Sequence, residues 1–447
     1  MDRRSFLKTL AVAPVAMAAA ATRKPNIILI LADDLGYADV GFTGVKDIRT
    51  PNIDRIAHEG VTFTNGYVSH PFCSPTRAGL MTGRYQQRFG HENNPAYEPM
   101  DPDIGLPLSE TLLPQYMRKA GYHTGIIGKW HLGATAKHHP TARGFDEQFG
   151  FIGGGHDYFK ASMEPDKREY NIPIERNGKP VELKEYLTDA FSREAVEFIH
   201  RNARQPFFLY LAYNAPHTPQ QAPDKYLDAY ANIADPVRRK YASMILGVDE
   251  GVRGVLQALK DEKLEEDTLV FFFSDNGGPI AVNGSHNTPY RGAKGQVYDG
   301  GIHVPFAARW KGRIPAGKKL ADPVISLDVF ATSTSLAGVT PPNIDGVDLM
   351  PHILGQAKQP PHQRLFWRTG GGASFAVREG RYKLVKIGAN PSALYDLEAD
   401  ISETTDIAAS NPDVLVRLEA ARLDWNKQLK PPLFQSPQPA AKKNKKA

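Results

Sequence analysis

At 447 residues, with 41% hydrophobic and 23% charged side chains, the chain has the composition of a globular protein long enough for one large domain and a smaller one. Its net charge of +5 belongs to its ends: Arg3, Arg4 and Lys8 against Asp2 give +2 in residues 1–21, and Lys430, Lys442, Lys443, Lys445 and Lys446 give +5 from residue 430 on. The body between is slightly acidic, which removes the usual reason to expect nucleic acid as a partner.

The opening "MDRRSFLKTLAVAPVAMAAAATRKPN" pairs two arginines with a short, weakly apolar run that ends in small residues. That pattern predicts a twin-arginine export signal over residues 1–21, cut between Ala18 and Thr22, and a periplasmic or secreted protein. The run is too short to span a bilayer, so no transmembrane anchor is expected. Downstream, short apolar runs alternate with helix-periodic segments, as in an α/β sheet covered on both faces.

Four of these runs end in polar residues. "NIILILA" ends in Asp33-Asp34, "TGIIG" in Lys129-Trp130-His131, "PFFLYLAY" in Asn214-Ala215-Pro216-His217, and "TLVFFFS" in Asp275-Asn276. Ligands of open α/β sheets sit outside the carboxyl ends of the strands, so the four ends predict one shared site. Between the first two lies "SHPFCSPTRAGLMTGR", which holds the only cysteine, Cys73. Pro75 suits a first helical turn, which puts the sulfur at a helix N-terminus, where anions are attracted and a thiol's pKa falls. The helix "LTDAFSREAVEFIHRN" is expected to be capped by Thr188 or Asp189, and "DPVRRKYASMILGVDEGVRGVLQALKD" forms a long amphipathic helix.

After Leu336 a proline-punctuated connection leads to short alternating strands with a hairpin turn at Arg378 to Arg381, then a helix packing Val414, Leu415, Leu418, Ala421 and Trp425. The expected divisions are a catalytic domain over 24–335, a C-terminal subdomain over 336–430 and a disordered basic tail over 431–447.

Asp33, Asp34, Asp275 and Asn276 are the oxygen donors that a hard divalent cation prefers, although Asp-Asp and Asp-Asn pairs also serve as ordinary turn residues. Arg77, Lys129, His131, His217 and Lys294 form a cationic set, with Lys129 and His131 expected on one face of an extended segment. Cations beside a metal suit the cleavage of a sulfate or phosphate ester. A cysteine-protease reading of Cys73 leaves the acidic set and the cationic set without a purpose.

"CSPTRAGLMTGR" resembles the first signature of the type I sulfatases, Cys-x-Pro-[Ser/Thr]-Arg followed by Leu-x-Thr-Gly-Arg, and "GYHTGIIGKWHLG" resembles the second. "NIILILADDLGYADVGFTG", "NAPHTP", "FFFSDNGG" and "RGAKGQVYDGGIHVPF" resemble the other family blocks in the family's order, from about Pro25 to Asp328. The resemblance implies an alkaline phosphatase-like fold: a large central sheet flanked by helices, with a smaller C-terminal subdomain of antiparallel sheet and helix. It implies one Ca²⁺ held by Asp33, Asp34, Asp275, Asn276 and residue 73, with Cys73 converted to Cα-formylglycine by a maturation enzyme. The aldehyde hydrate would attack sulfur, with Asp275 helping to activate the hydroxyl and Arg77 orienting the hydrate. Lys129, His217 and Lys294 would bind the sulfate and assist the leaving group, and His131 would take the proton that releases sulfate.

One block departs from the family: Asp299-Gly300-Gly301-Ile302-His303 stands where Glu-Gly-Gly-x-Arg is usual, a change expected to alter local packing or pocket polarity. Outside the motifs, His156, Asp157, Arg88, His91, Arg291 and Trp367 are the expected sugar or aryl contacts, though each stands equally well as an ordinary loop residue. The expected function is hydrolysis of sulfate esters, on sulfated carbohydrate rather than a simple aryl sulfate. The alternatives are a phosphonate monoester or phosphodiester hydrolase of the same superfamily, and a catalytically inactive sulfated-glycan-binding protein.

Overall fold

The strand Asn26–Ala32 is buried along its whole length, and a strand buried on both faces needs neighbours at both edges and layers above and below. In the computed structural model, which describes residues 23–164 and 169–436, it has them. It lies parallel to Phe207–Ala212 on one side and Thr268–Ser274 on the other. The full sheet has ten strands in the order Lys318–Leu320, Val61–Phe63, Phe306–Arg309, Thr268–Ser274, Asn26–Ala32, Phe207–Ala212, His123–Lys129, Glu147–Phe151, Ile174–Arg176, Lys179–Val181. The middle strands, from Thr268–Ser274 to Glu147–Phe151, are all parallel, and antiparallel pairing begins at Phe306–Arg309 and Ile174–Arg176. Their carboxyl ends therefore open on one side of the molecule.

Strand alternation splits the core in two. Ile27, Leu29, Leu31, Phe271 and Phe273 face the helices Cys73–Thr82, Leu113–Lys119 and Leu327–Leu336. Ile28, Ile30, Leu209, Leu211 and Phe272 face Pro51–His58, Leu187–Asn202 and Pro236–Asp261. Each such side chain contributes roughly 1.5–3 kcal/mol by burial, which makes the sheet a rigid base for the loops at its carboxyl ends. The helix Pro236–Asp261 starts on Asp235, whose carboxylate accepts from Val237 N at 2.9 Å. Leu187–Asn202 departs from expectation: Tyr186 holds the cap position, and Thr188 and Asp189 lie in the first turn. Asp189 is drawn away by Lys225 Nζ and Tyr226 Oη, each donating at 2.7 Å.

The second unit is an antiparallel meander of Arg364–Thr369, Ser374–Glu379, Tyr382–Lys386 and Ala393–Asp396. Glu379 pairs with Tyr382, so Gly380-Arg381 forms the turn, and Gly380 takes the left-handed φ of 56°. The helix Pro412–Asn426 buries Leu418 and Trp425, with Val414 and Leu415 half-buried against the meander and Ala421 half-exposed. The basic tail expected from residue 431 does not begin there. Lys430 N donates to Gln87 O at 2.9 Å, Leu433 N to Gly90 O at 3.0 Å, and Asn93 Nδ2 to Phe434 O at 2.7 Å, while Phe434 packs edge-on to His91. The apolar Leu433 and Phe434 give this stretch a reason to dock that its flanking lysines hide. Residues 437–447 and the export signal over 1–21 lie outside the described residues. No helix among the described residues is long and apolar enough to cross a membrane.

Candidate active site

Asp33 and Asp34 follow the central strand directly, and Asp34 takes a φ of 65°, a left-handed conformation that aspartate tolerates better than most residues. Asp34 Oδ1 accepts from Asn276 Nδ2 at 2.7 Å and pairs with Lys294 Nζ at 2.7 Å, while Oδ2 lies 3.7 Å from His217 Nε2. Asp33 is ion-paired with Lys129 and lies 3.6 Å from Arg77 Nη2. Asp275 receives Arg77 Nε at 3.0 Å and Nη2 at 2.8 Å, and its Oδ1 accepts from Asp34 N at 3.3 Å. Ligand atoms of Asp33, Asp34, Cys73 and Asp275 all lie within 4.8 Å of one another. The predicted convergence of strand ends is therefore met, with Asp34 and Asn276 242 positions apart.

Three carboxylates this close repel unless cations offset them. Burial would raise Asp33, but Lys129, His217, Arg77 and Lys294 outweigh it and hold its carboxyl well below the usual range. Burial and the Asp33 charge push Asp275 up to about 6. Asn276 Oδ1 is buried and has no hydrogen-bond partner. An orphan amide oxygen beside three acceptor-only carboxylates fits a hard divalent cation.

Cys73 opens the helix Cys73–Thr82, as its neighbour Pro75 predicts, and donates Sγ–H to Asp33 Oδ1 at 3.4 Å. The expected drop in thiol pKa does not occur. Burial and the Asp33 carboxylate push it up, against the helix terminus and the pull of Lys129 and Lys294. Arg77, one turn on, also donates to Lys129 O at 3.0 Å and so ties the helix to the second strand end. His131 is not on an extended continuation of Lys129: the strand stops at Lys129, and His131 has a φ of 59°. It still joins the site. Burial, then the charges of Lys129 and Arg77, hold its imidazole well below the usual range, and Nδ1 is buried without a partner. A neutral ring with a free nitrogen can take a proton. Burial also lowers His217, against Asp33 and Asp34, and its Nδ1 lies 2.6 Å from Thr218 O. Lys294 is the reverse case, held charged by Asp34 and its neighbours despite burial.

Each of the six expected substrate contacts has a partner within the protein. His156 has one ring nitrogen 2.6 Å from Asp157 O and the other 2.8 Å from Ile172 O. Asp157 accepts from Phe159 N, Lys160 N and Gln221 Nε2 at 2.8–2.9 Å. Arg88 clamps Asp345 at 2.8 and 2.7 Å, and Trp367 is buried with Nε1 donating to Val68 O at 2.7 Å. His91 bonds Ser74 Oγ at 2.7 Å, and Arg291 donates to Glu403 O at 2.7 Å. Arg88, His156, Asp157 and Trp367 are thus engaged within the protein, whereas His91 keeps a buried Nδ1 without a partner and Arg291 is exposed beyond its one hydrogen bond.

Two residues missed in the sequence do stand at the site. The Tyr170 ring lies 6.5 Å from that of His217 at an angle of 28° and is 43% exposed. Glu169 accepts from Gly154 N. A Cβ on Gly154 would meet His131 Nε2 at 2.5 Å and Glu169 Oε1 at 2.7 Å, so only glycine permits this approach. The Gly153-Gly154-Gly155 run was the one available signal.

A family model described as Sulfatase matches residues 25–339, and a second, described as N-sulphoglucosamine sulphohydrolase, C-terminal, matches 293–423. The N-acetylgalactosamine-6-sulfatase of Canis lupus familiaris is 38% identical over 82% of this chain and 72% of its own. The crystal structure of Ps i-CgsB in complex with k-i-k-neocarrahexaose superposes with a TM-score of 0.88 at 40% identity, covering 92% of this chain and 95% of that one. A phosphonate monoester hydrolase of Agrobacterium radiobacter shares the fold, with a TM-score of 0.66 at 23% identity over 90% of this chain and 95% of its own. The first family match spans every metal-type and cationic residue of the site, from Asp33 to Lys294, and the chain belongs to the sulfatase family, whose members hydrolyse sulfate esters.

Proposed function

We propose that the protein is an exported sulfatase that removes sulfate from a sulfated carbohydrate, with residue 73 acting as formylglycine hydrate beside one Ca²⁺. The observation that carries this is the joint placement of Cys73 and three carboxylates within 4.8 Å, with a free Asn276 Oδ1 beside them and four buried cationic or imidazole side chains around them. A relative with 40% identity was crystallised with an oligosaccharide, and another is named for a sulfated sugar, which favours carbohydrate over a simple aryl sulfate.

Asp33, Asp34, Asp275 and Asn276 would hold the cation, which when bound supplies positive charge against the carboxylates and the ester's oxygens. A formylglycine at residue 73 would supply, as its hydrate, two hydroxyls where a serine has one and a thiol none. Around them the chain's own groups have distinct tasks. Arg77 fixes the start of the helix against Asp275 and Lys129 O. Lys129, Lys294 and His217 meet the charge that builds on the sulfate and the leaving oxygen, and each such donor is typically worth about 10²–10³ in rate. His131, neutral and with a free Nδ1, accepts the proton whose loss frees the sulfate.

The test is a panel of sulfated oligosaccharides assayed for released sulfate, together with the peptide mass at residue 73 in natively produced protein. Turnover with a modified residue 73 is the expected result. Faster turnover of a phosphodiester than of any sulfate ester would favour the phosphonate hydrolase reading, and an intact thiol without turnover would favour the glycan-binding one.

A further inference from the structure

Lys294 sits on a stretch of chain between the helical turns Ile280–Asn283 and Asp299–Ile302 that has no regular secondary structure. A catalytic lysine needs a fixed backbone, so the anchors of this loop matter. On the side of the large sheet, Gly295 N donates to Pro71 O at 2.9 Å, and Asn287 exchanges two hydrogen bonds with Gly278, both at 2.9 Å. On the same side Lys294 N reaches Gly278 O at 3.4 Å, and His286 N donates to Asp39 Oδ2 at 2.8 Å. Three more anchors come from the C-terminal subdomain. Ser402 Oγ donates to Pro289 O at 2.8 Å, Arg291 Nη1 donates to Glu403 O at 2.7 Å, and Asp299 N donates to Glu403 Oε2 at 2.7 Å. Gly300 N closes the loop on itself by donating to Arg291 O at 2.7 Å.

Glu403 is itself held in place. It is fully buried at a φ of 52°, and Lys383, from the strand Tyr382–Lys386 and equally buried, pairs with Glu403 Oε1 at 2.9 Å and with Asp299. Tyr67 Oη donates to Asp299 Oδ2 at 2.7 Å, and His303 Nδ1 lies 3.4 Å from the same oxygen. This is the segment in which the chain departs from the family's usual Glu-Gly-Gly-x-Arg. Asp299 is where the C-terminal subdomain plugs in, through Lys383 and Glu403, and His303 backs it from the catalytic domain.

We propose that the C-terminal subdomain is a positioning part of the catalytic machinery, in which Arg291, Ser402 and Glu403 fix the loop that places Lys294 against Asp34 and the sulfate. This rests on the sulfatase reading of Lys294. It makes Arg291 a positioning residue rather than a sugar contact. A shift of about 1 Å in a group that meets the reacting centre can cost on the order of 10²-fold in rate, so loosening one anchor of several should cost less.

The experiment is a double-mutant cycle on the full-length mature enzyme, with Arg291→Met as the surface variant and Glu403→Ala as the buried one, each alone and combined with Lys294→Ala. Arg291→Met should lower kcat/KM about tenfold on both a small aryl sulfate and a sulfated oligosaccharide. It should weaken competitive inhibition by inorganic sulfate by a similar factor, and the effect should vanish in the Lys294→Ala background. Arg291→Lys, which can still reach the Glu403 carbonyl, should recover most of the loss. If Glu403→Ala does not fold, Ser402→Ala replaces it, with a smaller loss of the same non-additive kind. Additive losses with Lys294→Ala, or a loss confined to the oligosaccharide, would overturn the inference while the wild type stays active. A wild type that neither turns over nor binds sulfate would sink the inference and the function together.

Discussion

Two buried clusters of charge lie on either side of the loop that carries Lys294, and they differ in how completely they satisfy themselves. The first holds Asp33, Asp34, Asp275, Arg77, Lys129 and Lys294, and it leaves Asn276 Oδ1 and His131 Nδ1 buried without partners. The second holds Asp299, Lys383 and Glu403, and there each carboxylate meets Lys383 and also a hydroxyl or an amide N–H; Glu403 Oε1, which has no hydrogen bond, is answered by the Lys383 charge at 2.9 Å. A cluster that closes on itself is structure. One that keeps spare acceptors and a spare base is waiting for something that is not protein. The two should therefore fail in different ways when a lysine is removed from each.

The largest effect is expected at the open cluster, in activity. Lys129→Met should lower kcat/KM by about 10³, measured by sulfate release, because a charge that faces the transition state is lost. It also leaves a buried carboxylate short of a partner, but Asp33 keeps Arg77 at 3.6 Å, so its melting temperature should stay closer to wild type than that of Lys383→Met. Cys73→Ser should abolish turnover with as little effect on melting. In the closed cluster the order reverses. Lys383→Met strands Asp299 and Glu403 face to face in the interior, and breaking a buried ion cluster from one side costs about 3–5 kcal/mol, read by denaturant unfolding. Equal melting temperatures for Lys129→Met and Lys383→Met would break the distinction.

A smaller effect separates the clusters by ligand. Ca²⁺ binding to the folded state alone stabilises by about 2.7 kcal/mol at a hundred times its Kd, and a chelator removes this. Thermal melting with and without Ca²⁺ should show the shift in the wild type and in Lys383→Met, and not in Asp275→Asn. A shift that survives in Asp275→Asn would place the cation elsewhere.

What the sequence made legible was local. A buried apolar run followed by Asp-Asp or Asp-Asn reads directly as a strand delivering ligands to a sheet's carboxyl end, because the chemistry is within two residues of the structure that places it. Cys73 at a helix start was legible for the same reason. Its thiol pKa was not, since the helix effect is reversed first by burial, which the motif does not announce, and then by a carboxylate 40 positions away. Arg88 looked like a free cation because its partner Asp345 lies 257 positions on, and Trp367 looked like a sugar platform because nothing nearby in sequence says it is buried. Tyr170 carried no motif at all. The start of the expected tail, residues 431–436, docks on the body because of Leu433 and Phe434, which the lysines around it hide.

The smallest expected effect is the part of the pH dependence that Glu403 adds in the closed cluster, beside the part that Asp275 contributes at the open one. Burial lifts Glu403 to about 7, with the Asp299 charge adding to it and Lys383 opposing, against 4.5 for a free glutamate. An acid whose pKa is higher in the fold than in the unfolded chain holds its proton more tightly when folded. Between about 4.5 and 7 the unfolded chain therefore binds fewer protons, and stability falls as pH rises through that window. Glu403→Gln keeps an oxygen for Asp299 N but has no proton to lose, so its melting temperature should decline less than that of the wild type across the same range. The control is Asp275→Asn at the open cluster, which should leave the Glu403 component of the slope in place. If Glu403→Gln and wild type fall in parallel, Lys383 outweighs burial at Glu403, and the closed cluster is ionised throughout.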